Sequence, residues 1–211
     1  MRRLLLSIPI LFLALRAPAD PTTQPSPATV DLLKLVDPTT DWLFNGWKIK
    51  NGTLISDPLV DAHVEFPYVP PEEYDYRIVF VRSSGTGPII CLLRGGNKQF
   101  VWRVGGAATA NAGFGVVDKK GFDKNSTTQK GNWPITGQTQ ELLIQVRAGD
   151  VTASLDGQSV CTLKTDYKNV SLAAGYKQRS KDTIGFMAYK DDLTVESAEI
   201  TELSGPGHLA K

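Results

Sequence analysis

An antiparallel β-sandwich or barrel is the fold class this sequence predicts, and three observations carry the prediction. Short runs rich in β-branched and aromatic residues recur along the chain, separated by turn signals. Asn51-Gly52 and Asp156-Gly157 each sit midway between two alternating runs, where a tight hairpin needs positive φ angles. Beyond a proline-rich leader no ten-residue stretch has convincing helical amphipathicity, while 19 glycines and 13 prolines punctuate the chain.

The elements follow in order. VDLLKLVDP (Val30 to Pro38) holds one helical turn, ended at Asp37-Pro38 because the residue before proline avoids the helical region. WKIKNGTLIS is a hairpin, and YDYRIVFVR (Tyr74 to Arg82) is a strand of the residue types that sheets prefer. PIICLL and QFVWRV are two more strands, joined through Gly95-Gly96. ELLIQVRAGD alternates, with Leu142, Ile144 and Val146 on one face and Glu141, Gln145 and Arg147 on the other. VTASLDGQSVCTL is a second hairpin, and TIGFMAY and LTVESAEITEL are closing strands. Glu196, Glu199 and Glu202 are spaced as on a helix, but Thr194, Val195, Ile200 and Thr201 favour a strand. Gly105 to Gly137 is weakly patterned and long for a plain connection, and loops of that kind often carry function.

The N-terminus reads as an address. Arg2 and Arg3 precede an apolar run from Leu4 to Leu15, and Ala17-Pro18-Ala19 supplies a small-x-small cleavage pattern. The expected organisation is therefore a signal peptide over 1–19, a Pro/Thr-rich linker over 20–29, one domain over 30–207 and a frayed tail over 208–211. That layout predicts a secreted or periplasmic protein with no membrane span, since the apolar run is too short to cross a bilayer. Loss of Arg2, Arg3 and Arg16 with the signal leaves 20 basic against 22 acidic residues. A chain so close to neutral lacks the field that draws proteins to phosphate backbones, so nucleic acid is not an expected partner. The expected state is a monomer. Cys91 and Cys161 are the only cysteines; export permits a bridge between them, and two separate buried thiols are the alternative.

Most inexpensive enzyme chemistries fail on inventory. The double glycines of CLLRGGNKQFVWRVGG do not form a dinucleotide fingerprint, and no Gly-Lys-Ser/Thr follows them. His63 and His208 are the only histidines and no Cys/His cluster exists, so no zinc site is indicated, and no nucleophile-elbow pentapeptide is present. Asp118, Asp123 and Asn125 supply too few oxygens for calcium, which takes six to eight. No metal and no cofactor is expected. Glycoside hydrolysis needs two carboxylates flanking the bond, and Glu72-Glu73, Asp191-Asp192 and the Glu196 set read instead as solvated loop or edge acids. Three glycosylation sequons begin at Asn51, Asn125 and Asn169.

What remains is a binding surface of planar polar and aromatic groups, the kind that holds sugars by stacking and hydroxyl hydrogen bonds. Alternation in QFVWRV puts Phe100, Trp102 and Val104 on one face and Gln99, Val101 and Arg103 on the other. Either Trp102 is core and the polar set points outward, or Trp102 is a stacking platform. Arg94, Gln99, Trp102, Arg103, Asn132 and Trp133 are the candidate carbohydrate-binding residues, with Trp133 the ring expected to be exposed; Asn97 and Lys98 are weaker candidates. No catalytic residue is indicated.

Taken in order, WKIKNGTLIS, GPIICLLRGGNKQFVW, ELLIQVRAGDVTASLDG and AEITELSG resemble the bacterial 3-keto-disaccharide hydrolase domain family, from about Asp31 to Gly207. The resemblance implies a concanavalin A-like lectin/glucanase jelly roll and an exported, carbohydrate-related protein. The chain departs from the family where Gly137-Gln138-Thr139-Gln140 replaces a common Trp-Asn. Three functions follow as expectations. The first is a carbohydrate-binding domain taking an oligosaccharide or glycan on a concave sheet and the 105–137 loops. The second is a hydrolase of 3-keto-glycosides or related disaccharides, and the third an adhesion or scaffolding module that binds protein.

Overall fold

Each run predicted from alternation forms a strand, because alternation gives it one apolar face to bury. The computed structural model describes residues 26–41, 44–106, 111–131, 133, 136–176 and 179–210. The expected signal peptide, the first part of the linker, Trp42 and Asn132 lie outside the described residues.

The first strands are β1 (Thr29–Asp31), β2 (Trp47–Lys50), β3 (Thr53–Ser56), β4 (Asp61–Phe66), β5 (Tyr68–Val69) and β6 (Tyr74–Ser84). Then come β7 (Ile89–Gly95), β8 (Lys98–Val104), β9 (Asn111–Phe114), β10 (Val116–Val117), β11 (Gln129–Lys130) and β12 (Thr139–Val146). The last are β13 (Asp150–Leu155), β14 (Gln158–Lys164), β15 (Val170–Ser171), β16 (Ile184–Tyr189), β17 (Asp192–Glu202) and β18 (His208–Leu209). The single helical turn expected near the start is a 3-10 helix over Leu32–Leu35, capped by the Asp31 carboxylate on the Leu33 amide.

Two antiparallel sheets form a sandwich. The larger has the order β14-β13-β12-β6-β17-β3-β2, with β1 also on β17, and the smaller has the order β11-β9-β8-β7-β16-β4. One buried cluster draws on both: Tyr74, Tyr76, Ile78 and Phe80 of β6 and Leu142, Ile144 and Val146 of β12 meet Leu93, Phe100, Trp102 and Phe186 of the other sheet. Each large apolar side chain so buried contributes about 1.5–3 kcal/mol.

The outward faces of the two sheets differ, and that difference places the site. On the larger sheet the outer face is charged: Arg77 lies 2.7 Å from Glu141 and 3.4 Å from Glu199. Glu196 falls at a register shift in β17, so the helical spacing of its three glutamates is a strand interrupted by a bulge. On the smaller sheet the outer face carries a second apolar cluster of Ile90, Leu92, Val101 and Met187, overlaid by Leu172 and Tyr176. A strand buried on both faces explains why IICLL is apolar at every position.

Several expectations change. The turn after β7 is Gly96-Asn97, one residue later than expected, with both φ angles positive at 50° and 59° as a two-residue hairpin demands. The C-terminal tail is paired rather than frayed, with His208 and Leu209 opposite Val69 and Tyr68. Asp191 is not a solvated acid: it is fully buried, 3.4 Å from Arg82, and accepts the Gly87 amide at 3.0 Å. Cys91 and Cys161 are free, buried thiols in opposite sheets. Facing sheets stand about 10 Å apart, beyond the Cα separation that a disulfide bridges. Burial pushes the Cys161 thiol up to about 11 and the Cys91 thiol higher still.

Candidate functional site

The outer face of the smaller sheet is organised in rows by strand register. One row reads His63, Met187, Ile90, Arg103 and Gly113 across β4, β16, β7, β8 and β9. The next reads Glu65, Gly185, Leu92 and Val101, and Arg94 stands opposite Gln99 one row further.

The segment that leads into β16 covers part of this face. Its anchor is Glu65, a buried carboxylate that accepts the Arg179 amide at 2.6 Å, the Ser180 amide at 3.1 Å and the Thr183 hydroxyl. Gln99 adds a second anchor: its Nε2 donates to the carbonyls of Ser180 at 2.8 Å and Thr183 at 2.7 Å. The Arg179 guanidinium meets Asp41 at 2.8 Å. Burial raises the Glu65 carboxyl above its ordinary range, opposed by the three donors and by the Arg179 charge.

A second loop borders the face on the far side. Asn125 is buried and donates its side-chain amide to the carbonyls of Phe114 at 2.8 Å and Gly121 at 3.1 Å, while its oxygen accepts the Thr127 amide and hydroxyl. That network occupies the groups a glycan or a cation would need at the Asn125 sequon. It also positions Phe122, whose ring lies 4.5 Å from the Arg103 guanidinium carbon.

The predicted site residues therefore separate. Trp102 is 0 % exposed and belongs to the core, so it has no face to offer a sugar. Trp133, expected to be exposed, is half-buried and packed against the main core. Its indole covers Gly131, where an added Cβ would meet it at 2.4 Å. Gln99 is committed to the covering segment. Arg94 is buried and held by Glu72 at 3.3 Å, Asp182 at 3.5 Å and the Asn97 side chain at 3.2 Å, and it lines a separate recess of about 670 Å³. Asn132 lies outside the described residues. Lys98 lines another recess with Lys119 and Lys168. Among the described residues Arg103 is the candidate on the outer face that commits no donor to another residue, and its Nε has neither solvent nor an acceptor; Gln99 keeps only a buried Oε1 without a partner.

Sequence reasoning missed the rings around it. Phe122 flanks Arg103, and Tyr176 overlies the apolar cluster, its hydroxyl pushed up by burial and drawn down by the Arg103 charge. Tyr189 is 37 % exposed at the edge of the same face, paired with Asp61. Tyr189 was legible, since it shares the parity of Met187 in GFMAY; Phe122 and Tyr176 sit in loops that have no period.

Comparison with solved structures decides the type of sandwich. The VIP36 exoplasmic/lumenal domain in its Ca2+/Man2-bound form superposes at a TM-score of 0.55 and 9% identity, covering 84% of this chain and 88% of that one. Its Ca2+/Man3GlcNAc-bound form gives 0.53 and 8%, over 76% and 82% of the two chains. The fold is a lectin/glucanase jelly roll. The apo Crh5 transglycosylase agrees, at a TM-score of 0.50 and 14% identity over 87% of this chain and 88% of that one. No family model matches the sequence, and no curated protein matches it. Among the described residues no helix is long and apolar enough to cross a membrane.

Proposed function

We propose that this chain is an exported carbohydrate-binding jelly-roll domain whose ligand lies on the outer face of the six-stranded sheet, beside Arg103. The observation that carries the reading is the association of an unspent guanidinium with Phe122, Tyr176 and Tyr189 on that face. Rings bind the C–H faces of sugars, and a planar donor fixes their oxygens. The same fold holds mannose-type sugars in the VIP36 structures, which supports the reading by analogy. Export is proposed from the 1–19 signal; Asp20 at the N-terminus of the mature protein would support it.

Calorimetry against a panel of oligosaccharides tests the binding. Tyr189→Ala and Phe122→Ala should each weaken a bound sugar roughly 2- to 12-fold, the equivalent of about 0.5–1.5 kcal/mol per ring contact. Absence of binding to every oligosaccharide class would sink the proposal.

Hydrolysis of a 3-keto-glycoside, which the family resemblance implies, is the second reading. One observation favours it: Glu65 lies on the same face with its carboxyl raised by burial, as a general acid requires. Against it, both Glu65 oxygens are taken by the covering segment, and a glycosidase needs a second carboxylate across the bond. A 3-keto-disaccharide hydrolysis assay between pH 5 and 8 separates the two readings. Turnover that Glu65→Gln abolishes would establish the enzyme.

A further inference from the structure

Six arginines are described, and five of them are neutralised by carboxylates. Arg77 meets Glu141 and Glu199, Arg82 meets Asp191, Arg94 meets Glu72 and Asp182, Arg147 meets Asp75, and Arg179 meets Asp41. Arg103 alone among the described arginines has no carboxylate partner.

Its surroundings make that absence costly. The guanidinium is sandwiched rather than solvated freely: the Phe122 ring lies 4.5 Å from its central carbon, and Gly106 lies so close that an added Cβ would stand 2.7 Å from Nη2. On the sheet its cross-strand neighbours are Ile90 and Gly113, which contribute no acceptor. The Nε–H is buried without a partner, and a buried donor left unmade destabilises the fold. Such a group calls for an acceptor from elsewhere. The rigid guanidinium fork matches a planar acceptor with two oxygens and one negative charge, which a neutral hydroxyl does not supply.

We propose that the ligand is an acidic sugar, and that Arg103 receives the carboxylate of a uronic acid residue on the outer face of the six-stranded sheet. This rests on the carbohydrate reading above and narrows it to a substrate class. Phe122 supports the guanidinium from one side, and the Tyr176 hydroxyl is near enough to feel the Arg103 charge.

The test is calorimetry with glucuronic and galacturonic acid oligosaccharides, each beside its carboxyl-reduced counterpart. Wild-type protein should bind the acid form about 10- to 100-fold more tightly, the range for hydrogen bonds to charged groups. Arg103→Gln should bring the acid form down to the affinity of the reduced one. The melting temperature of that variant should fall by no more than about 2 °C, because the side chain has no ion pair in the protein and loses only its contact with the Phe122 ring. Equal binding of acid and reduced forms by wild-type protein overturns the inference while leaving sugar binding intact, and a melting temperature that falls by several degrees makes Arg103 structural and overturns it too. If no oligosaccharide binds, the Arg103 Nε–H resonance, assigned by its loss in Arg103→Gln, is followed during titration with sodium glucuronate against sodium chloride. A saturable shift specific to glucuronate supports the carboxylate site even then, and no shift overturns it.

Discussion

Arg82→Met isolates the one ion pair among the described residues that the sandwich buries almost completely. Arg82 and Asp191 have side chains 4% and 0% exposed, 3.4 Å apart, and Arg82 also donates to the Gly87 carbonyl at 2.7 Å. Removing the guanidinium strands a carboxylate in the interior and orphans that carbonyl. Breaking such a pair from one side costs about 3–5 kcal/mol, and a domain of this size loses about 2–4 °C per kcal/mol. The expected fall in Tm is therefore on the order of 10 °C at neutral pH. The deficit depends on pH with a definite sign. Burial already raises the Asp191 carboxyl above its ordinary value of 3.8, opposed by the Arg82 charge. A raised carboxyl contributes stability that is present below the unfolded value and lost as pH rises through the folded one. Without Arg82 the folded value climbs further, so the variant should melt closest to wild type near pH 4 and fall away towards pH 8. Arg82→Met combined with Asp191→Asn should recover most of the loss, because no buried charge is left. Calorimetric melts of the three proteins at several pH values measure this. A deficit under about 1 kcal/mol, or a double variant worse than the single, would refute the reasoning.

Three further outcomes follow from the same packing. Cys91 and Cys161 should resist alkylation in the folded protein and each take one adduct after unfolding in urea without reductant, which intact mass reads directly; adducts that appear only after reduction would contradict free thiols. Glu65→Ala should speed amide exchange at Arg179 and Ser180 by about 5- to 150-fold, since each amide left without its acceptor costs about 1–3 kcal/mol; unchanged protection there would show that the segment is held by Gln99 and Arg179 alone. Gly185→Ala should destabilise by about 3 kcal/mol or more in urea unfolding, because its Cβ would lie 2.6 Å from the Val64 carbonyl in the neighbouring strand. A soluble variant with wild-type stability would mean that β4 and β16 separate more easily than their pairing implies.

The sandwich was legible because its signals are local. Asn51-Gly52 and Asp156-Gly157 turn where they stand, with positive φ at all four residues. Leu142, Ile144 and Val146 announce the inner face within one strand. The site is a different kind of information. Arg94 and Arg103 lie nine residues apart on one hairpin, equally polar and equally placed by alternation. Their fates diverge through partners far along the chain: Arg94 reaches Glu72 and Asp182, 22 and 88 residues away, and is neutralised. Arg103 meets a loop phenylalanine and no acid. Alternation in QFVWRV could likewise offer two faces but not say that both would be covered, one by the opposing sheet and the other by the segment that Glu65 and Gln99 hold down. That double covering turns Trp102 into core and Gln99 into an anchor, and it leaves the guanidinium of Arg103 as the planar polar group still able to recognise something outside the protein. A fold that pairs five of its six described arginines has the acids to pair a sixth, since Asp118 and Asp123 remain exposed. Among the described residues the sixth is unpaired by position, on a sheet face that also gathers aromatic rings, and the proposed carbohydrate reading rests on that coincidence.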